Sequence, residues 1–372
     1  MGVTRQLRAL APFVMAAALG YLLVDLVAKL AGVTVDPGGV FLLGGHIAVS
    51  SVFKFIANGL ILGLIIGLAG VGLSMTYSIL NFANFAHGDY LTVGAFSGWT
   101  AAYIVALVTL GLEQPFGRLF LLDVPSVVSI AKSPLAVVVG LAVSAAFAVG
   151  LALALDRVVY KPMRNRGGIP LLIASIGVAL FLRYSIVFVW GTSTRGVTAV
   201  GADSLPSFSI PIVDGTYTLN LHEITMVVAA VALMLGVHIL LQFTKLGKAM
   251  RAMADNKALA QVTGIPTERV VRATWIIGGG LAGMAGFLII LNRGVLSFNF
   301  GWRLLLFIFS GVILGGIGSV YGAIGGGIII GIASRMALVW IPSEFARVAA
   351  FMVMILVLLF RPSGLFGGVT TA

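Results

Sequence analysis

The sequence predicts an all-α fold: a polytopic bundle of about eight to ten transmembrane helices, with one short cytoplasmic helix in a loop. Of its 372 residues, 60% are hydrophobic and only 9% are charged, whereas a soluble domain is about 25% charged. A soluble fold of this size could not keep so much apolar surface from water. The long apolar blocks differ from the short alternating segments of a transmembrane barrel. The composition therefore excludes a soluble enzyme, a nucleic-acid-binding protein and a disordered chain.

Apolar stretches of the length that a membrane-spanning helix needs, about 20 residues, recur along the chain. Those that qualify or nearly qualify are 9–30, 52–75, 90–110, 134–155, 169–190, 224–243, 270–291, 303–318, 320–340 and 345–361. The first follows Arg5 and Arg8 and is longer than the apolar part of a signal peptide, so we expect a retained helix. The 303–340 region is either two short helices around a turn at 315–318 or a broken re-entrant pair.

The loops between these stretches differ in charge, which predicts the orientation. Loop 156–168 carries four basic residues and one acidic residue, and loop 244–269 carries five basic residues and two acidic ones. Loop 191–223 has one base and three acids, and loop 111–133 is balanced. Because basic residues collect on the cytoplasmic side, the first two loops are predicted inside and the other two outside. Ten spans then place both termini in the cytoplasm, and the net charge of +11 reflects orientation rather than nucleic-acid binding.

The 244–269 loop has the pattern of a short amphipathic helix. Apolar residues recur at helical spacing, and charged residues do so on another side: Leu246, Met250, Met253 and Ala254, against Lys248, Arg251 and Asp255. The pattern stops at Gly264, with Pro266 just beyond, as at a helix C-terminus. Such a helix either lies on the membrane surface or docks into a groove of a soluble partner.

A polar stretch stands at the start of the third apolar block. This stretch contains Asn84, His87 and Asp89. Polar and ionisable groups are energetically costly within the membrane. The carboxylate of Asp89 would be favoured by the helix dipole, because it lies near a helix N-terminus. Two interpretations stay open, an interfacial cap or part of a transport pathway. His87 and Asp89 are not a catalytic pair, since residues i and i+2 of a helix do not face each other.

Small residues form faces that allow close helix packing. Gly59, Gly63 and Gly67 repeat every fourth residue, and Gly279, Gly283, Gly327 and Gly331 extend the pattern. We expect plain tight packing at these faces.

Several motifs are missing from the sequence. The only Gly-Lys pair, Gly247-Lys248, is followed by alanine, so the chain has no phosphate-binding loop and we expect no bound cofactor. Cysteine is absent, and no cluster has metal-ligand spacing. We expect structural roles for the scattered histidines, which are His46, His87, His222 and His238.

The chain resembles the branched-chain amino acid permease family of ABC transporters (LivH type). The resemblance rests on ordered motifs across about residues 55–367: Gly72-Leu-Ser-Met-Thr-Tyr77 followed by Asn84-Phe-Ala-His-Gly-Asp89, Tyr160-Lys-Pro-Met-Arg164, the 245–266 loop with Glu268-Arg-Val, Val312 to Gly322, and Leu359-Phe-Arg-Pro-Ser-Gly-Leu-Phe-Gly367. Residues 1–50 look like an added N-terminal transmembrane helix with an external linker, ahead of the permease domain at 51–372. Loop 111–133 looks long for the family.

The resemblance implies a multi-pass subunit of the plasma (inner) membrane that is a transporter and not an enzyme. Its partners would be two ATP-binding cassette ATPase subunits, which bind the ATP, a second related permease subunit and an extracytoplasmic substrate-binding protein. The amphipathic helix, over about 249–264, would be the coupling helix that the ATPases grip. The residues implied in coupling are Arg251, Ala254, Asp255, Ala258, Gly264 and Pro266, and those of the candidate pathway or family motif are Asn84, His87, Gly88 and Asp89.

Two other functions are weighed beside the amino acid importer. The first is a permease for urea or short amides, because relatives with those substrates share much of the pattern. The second is an ion-coupled secondary carrier, which usually needs intramembrane carboxylates. Only Asp25 and Asp89 lie in or beside the predicted spans, which weighs against the carrier.

Overall fold

The computed structural model describes residues 2–36, 43–109, 130–197 and 207–366. Most of this part is helical. The helices run Gly2–Ala31 (α1), Val49–Leu80 (α2), His87–Thr109 (α3), Pro134–Leu155 (α4), Lys161–Met163 (α5), Gly168–Trp190 (α6), Leu221–Phe243 (α7), Lys245–Asp255 (α8), Lys257–Val262 (α9), Thr267–Arg293 (α10), Phe300–Gly315 (α11), Val320–Met336 (α12) and Ala346–Phe360 (α13).

Eight helices in the described ranges are long and apolar enough to cross a membrane, which confirms the all-α polytopic bundle. They match eight of the ten predicted stretches. The 303–318 stretch is the shorter helix α11, which turns through 316–319 into α12; that this pair crosses the membrane rather than re-entering it stays a prediction. The 9–30 stretch lies within α1, which is not one of the eight, and its crossing of the membrane stays a prediction.

The loop predicted at 156–168 is helical over most of its length. α4 continues into a π-helical turn at Asp156–Tyr160, followed by α5 and a 3₁₀ turn at Arg164–Arg166. Single π-helical turns inside α-helices are rare and are frequent at functional sites. The basic residues of this loop are therefore held on an ordered helical segment.

The helices divide into an inner group and an outer group. In the apolar windows of α2, α3 and α10, 67%, 72% and 83% of residues are buried, against 28% in α6 and α7 and 6% in the window at Ser343–Phe360, which contains α13. The outer helices expose large side chains such as Phe181, Leu235 and Met352. In a membrane protein such faces meet lipid or another subunit.

Glycines set the distance between the inner helices. A Cβ atom placed on Gly63 of α2 would lie 3.0 Å from the carbonyl oxygen of Gly327 in α12. One placed on Gly94 of α3 would lie 2.3 Å from the Cα of Gly283 in α10. The predicted small-residue faces therefore meet one another, and backbone contacts backbone where they cross.

In the described part of the chain, three two-stranded sheets lie between helix ends: β1 (Thr34–Val35) with β2 (Leu43–Gly44), β3 (Arg195–Gly196) with β6 (Val295–Leu296), and β4 (Ser207–Ile212) with β5 (Gly215–Asn220). The turn of the β4–β5 hairpin holds Asp214, whose carboxylate accepts hydrogen bonds from the backbone N–H groups of Val49 and Ser50 at 2.5 and 2.8 Å. A residue 165 positions away in the chain thus caps the N-terminus of α2. Most of the predicted loop 111–133, with Glu113, Arg118 and Asp123, and also Asp203, lies outside the described residues.

Candidate functional site

The predicted single cytoplasmic helix is in fact two helices, α8 and α9, and this prediction was wrong. The chain becomes extended at Asn256, with φ −154° and ψ 101°, and the Asn256 side chain accepts a hydrogen bond from the N–H of Leu259 at 2.9 Å. Thr244 caps α8 in the same way, through the N–H of Gly247 at 3.0 Å. Asparagine competes with the helical backbone for hydrogen bonds, so it ends one helix and starts the next.

The predicted stop at Gly264 is confirmed. Gly264 has φ +83°, in the left-handed region that favours glycine. Its N–H bonds to the carbonyl of Gln261, and the N–H of Ile265 bonds to that of Ala260, the paired bonds of a Schellman motif. Pro266 then precedes α10 directly, so only the four residues 263–266 separate α9 from the start of this inner helix.

One face of α8 and α9 packs against the bundle. Gly247, Met250 and Met253 of α8 and Ala260 of α9 are buried. Arg251 is half-buried, and its Nη1 donates to Oε1 of Gln242 on α7 at 2.9 Å. Among the other predicted coupling residues, Ala254 is half-buried, whereas Asp255, Ala258, Gly264 and Pro266 are exposed.

The opposite face of α9 is apolar and exposed, which the sequence interpretation missed. The side chain of Leu259 is 61% exposed and that of Val262 is 86% exposed, and Ala258 lies beside them. The signal was present in the sequence, since Leu259 and Val262 are apolar residues at i and i+3. We call Ala258, Leu259 and Val262 the α9 apolar face.

A charged network lies beside the start of α10. Arg164 donates from Nη2 to both carboxylate oxygens of Asp156 at 2.6 Å, and from Nη1 to Glu268 at 2.8 Å. Lys161 approaches Glu268 to 3.1 Å. A cavity of about 600 Å³ opens here, lined by Leu153, Asp156, Arg157, Lys161, Glu268 and Arg272. The network therefore joins the helical segment 156–166, which follows α4, to Glu268 in the first turn of α10.

The predicted polar stretch is deeply buried within the protein. Asn84, His87 and Asp89 are each 0–1% exposed. Asp89 accepts from Nε and Nη2 of Arg183 on α6 at 3.2 and 3.0 Å, and the Arg183 guanidinium lies 4.7 Å from the Trp302 ring centre. The sequence interpretation missed Arg183, although a lone arginine inside an apolar span was the available signal.

The other residues of the stretch bond locally and to neighbouring helices. Asn84 accepts from the N–H of Ala86, the residue before α3, at 3.1 Å, and it also accepts from the Tyr160 hydroxyl at 3.4 Å. His87 Nε2 lies 2.9 Å from the carbonyl oxygen of Ala69. At Gly88, a Cβ would lie 2.7 Å from the carbonyl oxygen of Gly301 on α11. The stretch therefore sits where α2, α3 and α11 touch.

Tyr160 links the buried polar stretch to the segment that carries the charged network. It belongs to the π-helical turn that also holds Asp156, and its ring stacks on Trp275 of α10, with centroids 5.1 Å apart and planes 13° apart. Within the described residues, no group of three or more metal-ligating side chains is present. The arrangement suits mechanical coupling between helices.

Comparison with known proteins identifies similar chains. The model of the family described as branched-chain amino acid transport system / permease component matches residues 55–358. The high-affinity branched-chain amino acid transport system permease protein LivH of Escherichia coli (strain K12) is 30% identical over 317 residues, which cover 83% of this chain and 94% of that protein.

Two further relatives come from other organisms. The permease protein BraD of Pseudomonas aeruginosa is 27% identical over 315 residues, which cover 84% of this chain and 94% of that protein. A probable branched-chain amino acid transport permease protein LivH of Methanocaldococcus jannaschii is 30% identical over 332 residues, with coverage of 84% and 92%. No solved structure matches the chain.

Proposed function

The chain belongs to the family of branched-chain amino acid transport system permeases, and from that membership we propose that it is the membrane-spanning subunit of an ATP-binding cassette importer for leucine, isoleucine, valine or related amino acids. It is a multi-pass membrane protein and a transport subunit rather than an enzyme. The names of its relatives support the substrate class, since LivH and BraD are named for branched-chain amino acid transport.

The observation that carries the coupling mechanism is the exposed apolar face on α9. A short helix between two spans, with Leu259 and Val262 turned outward, has the form that a groove on a soluble protein can bind. The chain has no phosphate-binding loop of its own. Two ATPase subunits therefore supply the energy, and they dock on α8 and α9.

The packing of α8 and α9 supports a route for that energy into the bundle. α8 is tied to α7 through the bond from Arg251 to Gln242, and α9 leads through Pro266 directly into α10. Movement of the two helices thus displaces one outer and one inner helix together. Transport requires such a change between two arrangements of the bundle, outward-open and inward-open.

The intramembrane polar residues belong to the rearranging part of the protein in this proposal. Asn84, His87, Gly88 and Asp89 lie near the joint of α2, α3 and α11, and Tyr160 connects them to the segment that carries the charged network. The Asp89–Arg183 pair places charges at membrane depth, a feature common along transport pathways.

The remaining subunits and the orientation follow from the same assignment. A second related permease completes the pore, and an extracytoplasmic binding protein delivers the substrate. The protein lies in the plasma (inner) membrane, and its α8–α9 segment and both termini face the cytoplasm. The basic loops 156–168 and 244–269 support this orientation.

ATP-driven uptake by the complete transporter in proteoliposomes tests the proposal. Leu259→Arg and Val262→Arg place charge on the α9 apolar face, and we expect each to reduce leucine uptake at least tenfold. Gln261→Arg is the matched control, because Gln261 is exposed on another side of the same helix, and it should leave uptake intact. Unchanged uptake in the first two variants would refute the coupling role.

The same vesicles separate the alternative functions. Uptake of labelled urea or acetamide in place of leucine would reassign the substrate. Uptake that collapses with an ionophore but persists without ATP would make the protein an ion-coupled carrier.

A further inference from the structure

Four arginines lie at the end of the bundle opposite to α8 and α9. Arg293 is the last residue of α10, Arg303 is in the first turn of α11, Arg335 is in the last turn of α12 and Arg347 is in the first turn of α13. α11 and α12 are joined by a tight turn and pack on each other, and both contact α13. These helix ends are therefore neighbours, and we call the four residues the arginine rim.

The arginine rim carries positive charge without a partner. Arg293 interacts electrostatically with the three other arginines. Within the described ranges, none of the four guanidinium groups forms an ion pair or side-chain hydrogen bond, and Nε of Arg335 is buried with no partner. Arg293, Arg303 and Arg347 are exposed and Arg335 is half-buried, so the rim is open to a ligand.

The helix dipoles do not explain all four charges. Arg293 and Arg335 stand at helix C-termini, where cations are favoured. Arg303 and Arg347 stand in first turns, where the dipole is positive and cations are disfavoured. Two of the four arginines are therefore placed against the local field.

Nearby carboxylates are engaged elsewhere. Asp25 pairs with Lys29 and accepts from Trp340 Nε1 at 2.8 Å, and Asp214 caps α2. Glu344 is exposed and accepts from the Ser343 hydroxyl at 3.2 Å. None of these three carboxylates forms an ion pair with the arginine rim.

We propose that the arginine rim binds the carboxylate of the amino acid as it enters the permease. The inference rests on the proposed function and adds a binding site to it. Arginine matches a carboxylate with two parallel hydrogen bonds, and the carboxylate is the one anionic group that leucine, isoleucine and valine share. In the proposed orientation the rim faces outside, where basic residues are normally sparse. A carboxylate ligand explains why four arginines stand together on this face.

Binding of labelled leucine to the complete transporter without its binding protein, in discs of neutral lipid, tests the site. We expect 4-methylpentanoate, which keeps the carboxylate but lacks the ammonium group, to displace leucine. We expect 3-methylbutylamine, which lacks the carboxylate, to leave it bound. Displacement by the amine and not by the acid would overturn the proposal.

Charge-removing variants then locate the binding. Arg303→Gln and Arg335→Gln should each weaken leucine binding about tenfold, as expected for one charge-assisted hydrogen bond. Arg335→Lys keeps the charge and should retain more of the affinity, which controls for a folding defect. Arg166→Gln, at the other end of the bundle, should bind as the wild type does. Wild-type affinity in both rim variants would refute the site.

Other anions that could occupy the rim are distinguished by two further arms. Adding phosphatidylglycerol to the discs should leave leucine affinity unchanged, whereas competition by this lipid would assign the rim to a lipid phosphate. If the rim variants bind leucine normally but bind the substrate-binding protein more weakly, the rim would be assigned to an acidic surface of that protein. Either result overturns the proposal.

Wild-type uptake measured in parallel separates the two levels of inference. If the wild type imports leucine and the variants bind it normally, only the rim proposal fails. If the wild type imports no branched-chain amino acid, the proposed function fails.

Discussion

α3 and α10 meet through backbone atoms, whereas α6 and α7 present large apolar side chains outward and touch the inner helices at few points. A Cβ on Gly286 of α10 would lie 2.0 Å from the carbonyl oxygen of Leu91 in α3, but one on Gly236 of α7 would have nothing within 4 Å. The difference indicates that the inner helices have one close-packed arrangement, while the outer helices pack more loosely and add a few polar contacts, such as those of Ser175 and Arg183 on α6. We expect substitutions to act very differently in the two groups.

The largest effect is expected at the buried ion pair between the outer helix α6 and the inner helix α3. Arg183→Gln leaves Asp89 buried without its partner and should lower the free energy of unfolding by about 3–5 kcal/mol. A detergent-denaturation curve measures this, and adding Asp89→Asn should recover part of the loss. A variant as stable as the wild type would show that α6 is held by other contacts.

The inner glycine contacts come next. Gly286→Ala should lower stability by about 1–3 kcal/mol, because the methyl group must displace the backbone of α3. Gly236→Ala is the matched control and should be neutral or slightly stabilising, since alanine favours the helix. Thermal unfolding of the two purified variants compares them directly. Equal midpoints would remove the distinction between inner and outer helices.

A smaller effect is expected at the junction of α8 and α9. Asn256→Ala removes the cap of α9 and should destabilise that helix by about 1 kcal/mol, with a partial loss of ATP-driven uptake. Asn256→Asp retains an acceptor and should restore uptake. If Asn256→Ala transports at the wild-type rate, the break between the helices has no part in coupling.

The smallest effect concerns the cap on α2. Hydrogen bonds from the N–H groups of Ser50 and Val49 lower the pKa of Asp214 below its ordinary value of 3.8. Since the pKa is depressed in the folded state, this contribution is present above about pH 4 and is lost as the pH falls through the folded pKa. In Asp214→Asn, the midpoint of thermal unfolding should therefore change less than in the wild type as the pH falls below about 4. An identical pH profile in the variant would exclude the cap as its source.

Regular features were predictable from the sequence because they depend on local spacing. The spans follow from apolar length, the tight packing at Gly63 and at Gly327 from four-residue repeats of small residues, and the stop at Gly264 from the left-handed conformation that glycine favours. The Asp89–Arg183 pair joins residues 94 positions apart, and nothing in either local pattern selects the partner. Asn256 is compatible with a continuous helix or with a break capped by its side chain, so the residue type alone does not decide between them.

The coupling role of α9 is tested most directly by a single cysteine, because the chain has no natural one. Val262→Cys should cross-link to a co-expressed ATPase subunit and resist a membrane-impermeant thiol reagent added from outside. Val213→Cys, exposed on the β4–β5 turn, should react with that reagent and form no such cross-link. External labelling of Val262→Cys, or no cross-link from it in an assembled transporter, would contradict the account.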